Sequence, residues 1–371
     1  MTTLLVTNDF PPTVGGIQSY LRDFVGEVVR RGGADSIVVL ASVQDAEAAR
    51  AWDAAQPYEV IRYPRKVMLP TPALKREMSR VIRERGIDTV WFGAAAPLAV
   101  LGKAAKQAGA RRVVATTHGH EVGWAKLPGA RGVLRQIGRH ADVVTYISRY
   151  TIDRLHSVIG DGPEYVNLPS GVDTDFFAPA TAADRDAARE WLGVGDAPLV
   201  VCSSRLVARK GQDVLIGALP GIRRYAPGAH LVIVGEGPYE ARLMRLAAAV
   251  PGVVFTGRVP REALRDIIAA ADVFAMPART RLGGLDVEGL GIVYLEAQAC
   301  GVPVVAGQSG GAPETVTDGT GVVVDGRDSA AVASAIVRLL DDDTLHAGRA
   351  HVQQAFSWDV LGDRLYGALT G

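Results

Sequence analysis

Short apolar runs alternate with helical patterns along this chain, and the alternation restarts after a single turn-rich break. In the first half, strand-like runs fall at 3–7, 36–41, 58–62, 88–92, 112–116, 142–147 and 164–168. Helical patterns lie between them, among them 16–31, 72–85, 96–108 and 129–139. Strands joined through helices pair in parallel, with helices covering both faces of the sheet. The pattern breaks near 170–180, at Pro169-Ser170-Gly171-Val172-Asp173 and Phe176-Phe177-Ala178-Pro179, which reads as a linker. Strands resume at 198–203, 229–234, 252–256, 272–276, 302–306 and 320–324. At 371 residues the chain is too long for one ordinary core. No short internal repeat suggests a solenoid. The expected fold is α/β, with two Rossmann-like doubly wound domains at 1–171 and 172–354. The stretch 355–369 carries Phe356, Trp358, Val360, Leu361, Leu365 and Tyr366 at helical spacing, so an amphipathic helix is expected there.

Lys/Arg and Asp/Glu balance at 40 each, so no global field favours nucleic acid. Locally, residues 51–150 hold 17 Lys/Arg against seven Asp/Glu. Ordinary solvated helix faces account for this, and so does a basic flank near anionic lipid. Cys202 and Cys300 sit in apolar surroundings far apart in sequence, which favours two buried thiols over a disulfide. Met1-Thr2-Thr3-Leu4 leads straight into a strand without a signal-peptide pattern, and no apolar run approaches the ~20 residues that span a bilayer. The protein is expected in the cytoplasm, with any membrane contact peripheral.

Chemistry-bearing residues gather where strands end, which is where α/β sheets bind ligands. The first strand runs into Asp9-Phe10-Pro11-Pro12-Thr13-Val14-Gly15-Gly16. Thr116-Thr117-His118-Gly119-His120-Glu121 follows another strand, and Ser204-Arg205-Leu206-Val207-Ala208-Arg209-Lys210-Gly211 follows Leu199-Val200-Val201-Cys202. Arg205 offers a fork and Lys210 a point charge, both suited to phosphate oxygens. Glu288-Gly289-Leu290-Gly291-Ile292-Val293-Tyr294-Leu295-Glu296 places two carboxylates around a glycine-rich helix start. Unpaired N–H groups there attract phosphate. Glu296 is expected about two turns beyond Glu288 along that helix, ~12 Å away at ~1.5 Å per residue. Each motif alone also fits surface cations or solvated glutamates.

Together these motifs resemble the retaining glycosyltransferases of family four. The resemblance spans nearly the whole chain and includes Ser170-Gly171-Val172-Asp173. His118-Gly119-His120-Glu121-Val122-Gly123-Trp124, Thr145-Tyr146-Ile147-Ser148 with Tyr150-Thr151, and Gly283-Gly284-Leu285-Asp286-Val287 resemble the actinobacterial mannosyltransferase branch of that family. The resemblance implies a GT-B fold with two domains facing across a cleft and a final helix, about 355–371, crossing back to the first domain. It implies an acceptor-binding first domain and a nucleotide-sugar-binding second domain. The implied donor is GDP-mannose and the implied acceptor an anionic glycolipid, a phosphatidylinositol mannoside, met at the inner face of the plasma membrane. Another nucleotide sugar, glycolipid or soluble acceptor stays open.

The resemblance assigns the donor diphosphate to Gly16, Arg205, Lys210, Gly291, Ile292 and Val293, and the ribose to Glu296. It assigns the transferred sugar to Glu288 and His118, and the base to Arg258 and Val259. In this family the leaving phosphate helps deprotonate the acceptor, so no protein nucleophile is expected. No cofactor or metal is expected either. Asp173-Thr174-Asp175 has the spacing of a metal-binding pair, but its linker position favours a cap or hinge; 341–343 reads as a solvated turn. The basic and apolar segment 62–76 fits a membrane-facing loop or a plain solvated one. A nicotinamide dehydrogenase would need Gly-x-Gly-x-x-Gly after the first strand and an acid ending the second, and neither occurs. A carbohydrate-binding module would not need Arg205, Lys210 and both glutamates together.

Overall fold

A computed structural model describes residues 1–342 and 347–371. The chain forms two compact units, 1–170 with 358–371, and 171–357. The strands of the first are β1 (Thr3–Thr7), β2 (Ile37–Ser42), β3 (Glu59–Tyr63), β4 (Thr89–Phe92), β5 (Arg112–Thr117), β6 (Val143–Tyr146) and β7 (Glu164–Asn167). They pair in parallel in the order β3-β2-β1-β4-β5-β6-β7. The order reverses between β1 and β4, which opens a crevice at the carboxyl ends of those two strands. Side chains of β1 alternate: Leu4 and Val6 join the cluster on one face, Leu5 the cluster on the other. Truncating such a buried leucine to alanine costs about 2–5 kcal/mol.

Helices cover both faces. The Gly16–Gly32 helix buries Tyr20, Leu21, Phe24, Val25 and Val28 on the face that also receives Leu361, Leu365 and Leu369 of the Trp358–Thr370 helix. Phe24 and Trp358 meet edge to face at 5.1 Å. On the opposite face the Pro72–Arg85 helix buries Leu74, Met78, Val81 and Ile82. Its start is set by Thr71, whose hydroxyl accepts from the Leu74 amide, and by Pro72. Gly86 ends it in a left-handed conformation.

The second unit holds β8 (Leu199–Ser203), β9 (His230–Val234), β10 (Val253–Gly257), β11 (Val273–Met276), β12 (Val304–Gly307) and β13 (Gly321–Val324). Their order is β10-β9-β8-β11-β12-β13, again parallel, with the reversal between β8 and β11. Renumbered within the unit this is the 3-2-1-4-5-6 arrangement of dinucleotide-binding folds. One apolar cluster fills both sides of the sheet. Cys202 and Cys300 are buried free thiols, and burial pushes each up to about 12.

The C-terminal periodicity is split. One helix ends at Ala355 and the next starts at Trp358, because Phe356 and Ser357 pair with the linker through Val172. Phe356 therefore packs on the second unit's core while Trp358 belongs to the first. The expected single helix from 355 merges these two environments. Asp341 ends the Ser329–Leu340 helix, and Asp343 lies outside the described residues.

Candidate functional site

In the second unit the loops after β8 and β11 leave adjacent strands at the reversal point. The first carries Arg205, Arg209 and Lys210, the second Glu288. Lys210 Nζ lies 2.7 Å from Glu288 Oε2, and both side chains are nearly buried. Arg209 Nε is 3.8 Å from the same oxygen and 3.7 Å from Asp286 Oδ1. Arg205 is exposed, and among the described residues its guanidinium has no protein partner. It is therefore an exposed, unpaired cation on the loop that also carries Lys210.

The backbone around Glu288 is tightly built. The Glu288 amide donates to Ser309 Oγ at 3.2 Å, and its carbonyl accepts from Gly311 N at 3.0 Å. A side chain on Gly310 would fall 1.8 Å from that carbonyl. Glu288 is not on the following helix, contrary to the expectation from spacing. That helix is Ile292–Ala299, preceded by Gly291 at φ 88°. A β-carbon on Gly291 would strike the Tyr294 ring at 2.4 Å, and Tyr294 is fixed by donating its hydroxyl to the Met276 carbonyl at 2.5 Å. Gly291 is thus demanded by the protein's own packing as well as by its turn. No side chain caps the helix start, and no acid occupies its first turn, so no side chain of the helix itself satisfies the amides at Ile292 and Val293.

Glu296 lies one turn into the helix and is half-buried, and its carboxylate makes no hydrogen bond or ion pair among the described residues. Burial pushes its carboxyl up to about 7, opposed by Arg261. Exposed Arg258 and half-buried Val259 follow β10 directly. Gly257 ends that strand with φ 67°, and its carbonyl accepts from Gly235 N at 2.9 Å.

Three features fall outside the site residues expected from sequence. Gly235 and Gly237, after β9, crowd the Arg205 loop so closely that side chains there would meet the Ser204 and Leu206 carbonyls at 2.2 and 2.3 Å. Ser309-Gly310-Gly311 clamps Glu288, and Arg209 adds a second cation against it. The Gly-x-Gly after β9 and the Gly-Gly after β12 were the available signals.

In the first unit, Gly16 opens its helix after the β1 loop and is exposed, with open space where a side chain would stand. His118 follows β5. Its Nε2 donates to the Gly93 carbonyl at 2.7 Å, and its ring meets Tyr20 edge to face at 5.0 Å. Burial holds the imidazole below its usual range, which favours the neutral ring with Nδ1 as acceptor. Buried Glu121 accepts the His118 and Gly119 amides, both at 3.0 Å, and so shapes the turn that carries the ring.

Asp173 Oδ1 accepts from Phe176 N at 3.0 Å, and its other oxygen is 3.9 Å from Arg261. It caps a turn. Among the described residues no group of three or more metal-ligating side chains occurs. In the 62–76 segment, Arg62 is not a surface cation. It grips Asp53 at 2.7 Å and donates to the Ser42 and Pro11 carbonyls. Arg65, Lys66, Lys75 and Arg76 are exposed, together with Val67 and Leu69. Asn8 holds the Met68 backbone from both sides, so Met68 is buried while its two apolar neighbours face outward.

Residues 14–176 match the family model described as Glycosyltransferase Family 4, and 197–342 match that of glycosyl transferases group 1. The chain is 57% identical over 370 residues to the GDP-mannose-dependent monoacylated alpha-(1-6)-phosphatidylinositol monomannoside mannosyltransferase of Corynebacterium glutamicum, covering 98% of this chain and 96% of that one.

This chain belongs to glycosyltransferase family 4.

A second relative, the GDP-mannose-dependent alpha-(1-6)-phosphatidylinositol monomannoside mannosyltransferase of Mycolicibacterium smegmatis, is 55% identical over 377 residues and covers 99% of this chain and 98% of its own. Among solved structures, Anabaena HepE in complex with UDP matches this family-4 glycosyltransferase with a TM-score of 0.80 at 23% identity over 100% of both chains. Sucrose-phosphate synthase from Thermosynechococcus elongatus matches with a TM-score of 0.77 at 22% identity, over 99% of this chain and 97% of its own. The fold of this family-4 enzyme is GT-B.

Proposed function

We propose that this enzyme transfers mannose, with retention, from GDP-mannose to a phosphatidylinositol monomannoside, making the second mannose of a dimannoside. The observation that supports this most is the pairing of Lys210 with Glu288 at the strand reversal of the second unit, on a chain more than half identical to relatives named for that reaction.

Arg205, Lys210 and the amides of Gly291, Ile292 and Val293 hold the donor diphosphate, and Glu296 holds the ribose. Arg258 and Val259 meet the base. As the glycosidic bond breaks, negative charge grows on the departing phosphate, and preorganised cations stabilise it. Glu288 accepts hydroxyls of the transferred sugar, orienting the anomeric carbon. For the first unit, the family resemblance supports donor roles for Gly16 and for His118, whose Nδ1 is free to accept a hydroxyl. The acceptor hydroxyl attacks from the leaving-group side and gives its proton to the departing phosphate, so no side chain forms a covalent bond.

The exposed Arg65, Lys66, Lys75 and Arg76, flanking Val67 and Leu69, support docking of the first unit on an anionic leaflet. We place the enzyme peripherally on the inner face of the plasma membrane. Among the described residues no helix is long and apolar enough to cross a bilayer.

Calorimetric titration with a panel of nucleotide sugars tests the donor. GDP-mannose should bind at least tenfold tighter than UDP-glucose, and a preference for a uridine donor would overturn the assignment.

A further inference from the structure

We propose that Arg209 is the alternate counter-ion of Glu288, taking over its carboxylate when a diphosphate draws Lys210 away. This rests on the donor-site reading above.

Lys210 Nζ lies 2.7 Å from Glu288 Oε2. The same ammonium is the one assigned to the diphosphate. A diphosphate brings at least two negative charges, and one ammonium cannot neutralise both it and a nearly buried carboxylate. Leaving a buried carboxylate without a counter-ion is strongly destabilising. Glu288 cannot follow Lys210, because its amide is held by Ser309 and its carbonyl by Gly311, with Gly310 packed against that carbonyl.

Arg209 is in position to compensate. Its Nε is 3.8 Å from Glu288 Oε2 and 3.7 Å from Asp286 Oδ1. That nitrogen is buried and makes no hydrogen bond, so it holds an unused donor beside the carboxylate. The Arg209 carbonyl accepts from Arg279 N at 2.8 Å, and Arg279 is itself paired to Asp213 at 2.8 Å, so the backbone that carries Arg209 is fixed. A guanidinium has five donors in a planar fork and can hold Glu288 and Asp286 together. A small side-chain shift closes the remaining gap, while Lys210 turns to the phosphate. Arg209 is on this account a positioning residue: it lets Lys210 leave without stranding Glu288.

The test uses GDP, which lacks the mannose that Glu288 would touch, titrated calorimetrically at fixed salt. Arg209→Gln should weaken GDP binding by about 10–100-fold in the wild-type background and by less than ~3-fold in a Glu288→Gln background, a coupling of the size seen for interacting residues. An equal loss in both backgrounds would mark Arg209 as merely structural and overturn the proposal. Glu288→Gln alone should bind GDP at least as tightly as wild type, since no carboxylate then needs a replacement partner. A tenfold weaker GDP affinity in that variant would overturn the proposal even if Arg209→Gln failed to fold. Lys210→Ala separates this inference from the donor-site reading. If it binds GDP like wild type, the donor-site reading fails. If it loses binding while Arg209→Gln does not, the exchange alone fails.

Discussion

Lys210 and Glu288 come from loops after different strands, 78 positions apart in sequence, yet their charged groups meet at 2.7 Å at the point where the sheet order reverses. The two strongest charge signals in the second half of the chain are thus one unit. The cation is held in place by a nearly buried ion pair whose own net stabilisation is small.

Removing either cation of the β8 loop should lower turnover by ~10²–10³, the usual effect of losing one preorganised group at a developing charge. Stability should separate the two. Arg205 is exposed and unpaired, so Arg205→Ala should stay within about 0.5 kcal/mol of wild type. Lys210→Ala deprives buried Glu288 of its near partner and should cost up to about 3 kcal/mol. Denaturant unfolding and steady-state rates measure both. Near-normal turnover in each variant would remove the diphosphate assignment.

Glu288→Gln and Glu296→Gln should differ in kind. The first should lower kcat with GDP affinity retained; the second should weaken GDP binding. The Glu296 carboxyl, pushed up to about 7 by burial, also predicts a pH dependence. The ionised form accepts ribose hydroxyls best, so GDP-mannose affinity should rise as pH increases from 6 to 8 and should be flat for Glu296→Gln. Without ligand the sign reverses. The folded-state pKa lies above the unfolded value of about 4.3, so this group's stability contribution is complete below that pH and is lost as pH rises through about 7. Calorimetry and thermal melts across that window check both statements. Parallel pH profiles for wild type and variant would refute the ribose role.

Activity should survive excess EDTA. Asp173, the first acid of the Asp-x-Asp in the linker, spends one oxygen capping the Phe176 amide, and the diphosphate has Arg205 and Lys210 as counter-ions. Loss of turnover in chelator, restored by a divalent ion, would show that the charge balance proposed for the site is incomplete.

Replacing Arg65, Lys66, Lys75 and Arg76 with Ser should weaken binding to anionic vesicles by about two to three decades at low salt, with a smaller effect at high salt. Each surface cation contributes roughly 1 kcal/mol near such a leaflet. Arg62→Ser should behave differently: it breaks a partly buried pair with Asp53 and the tether to Pro11, so it should lower thermal stability rather than lipid affinity alone. Co-sedimentation across a salt series distinguishes them. Equal partitioning of wild type and the fourfold variant would leave the segment a plain solvated loop.

The architecture was largely legible in the sequence because buried parallel strands are short continuous apolar runs, and each run found its strand within two residues at either end. Candidate site residues were legible where polar and charged groups follow strands, as at Arg205 and Lys210 after β8 and His118 after β5. Two misreadings have physical causes. Spacing alone put Glu288 on a helix, but the left-handed turn at Gly291 starts that helix only at Ile292. Phe356 and Trp358 share a helical period, yet the pairing of Val172 with the 356–357 stretch breaks the chain between them. Arg62 looked like its basic neighbours because a carboxylate nine residues away and two carbonyls leave no mark in local composition.

The most direct test of the central claim is product analysis. Purified enzyme is incubated with sugar-labelled GDP-mannose and vesicles containing phosphatidylinositol monomannoside, and the lipid is examined by NMR. The account predicts one added mannose per acceptor, α-linked, with GDP released in equal amount and with transfer by Lys210→Ala lowered by ~10²–10³. A β-linked product would contradict retention. No transfer from GDP-mannose, with efficient transfer from another nucleotide sugar, would contradict the proposed reaction itself.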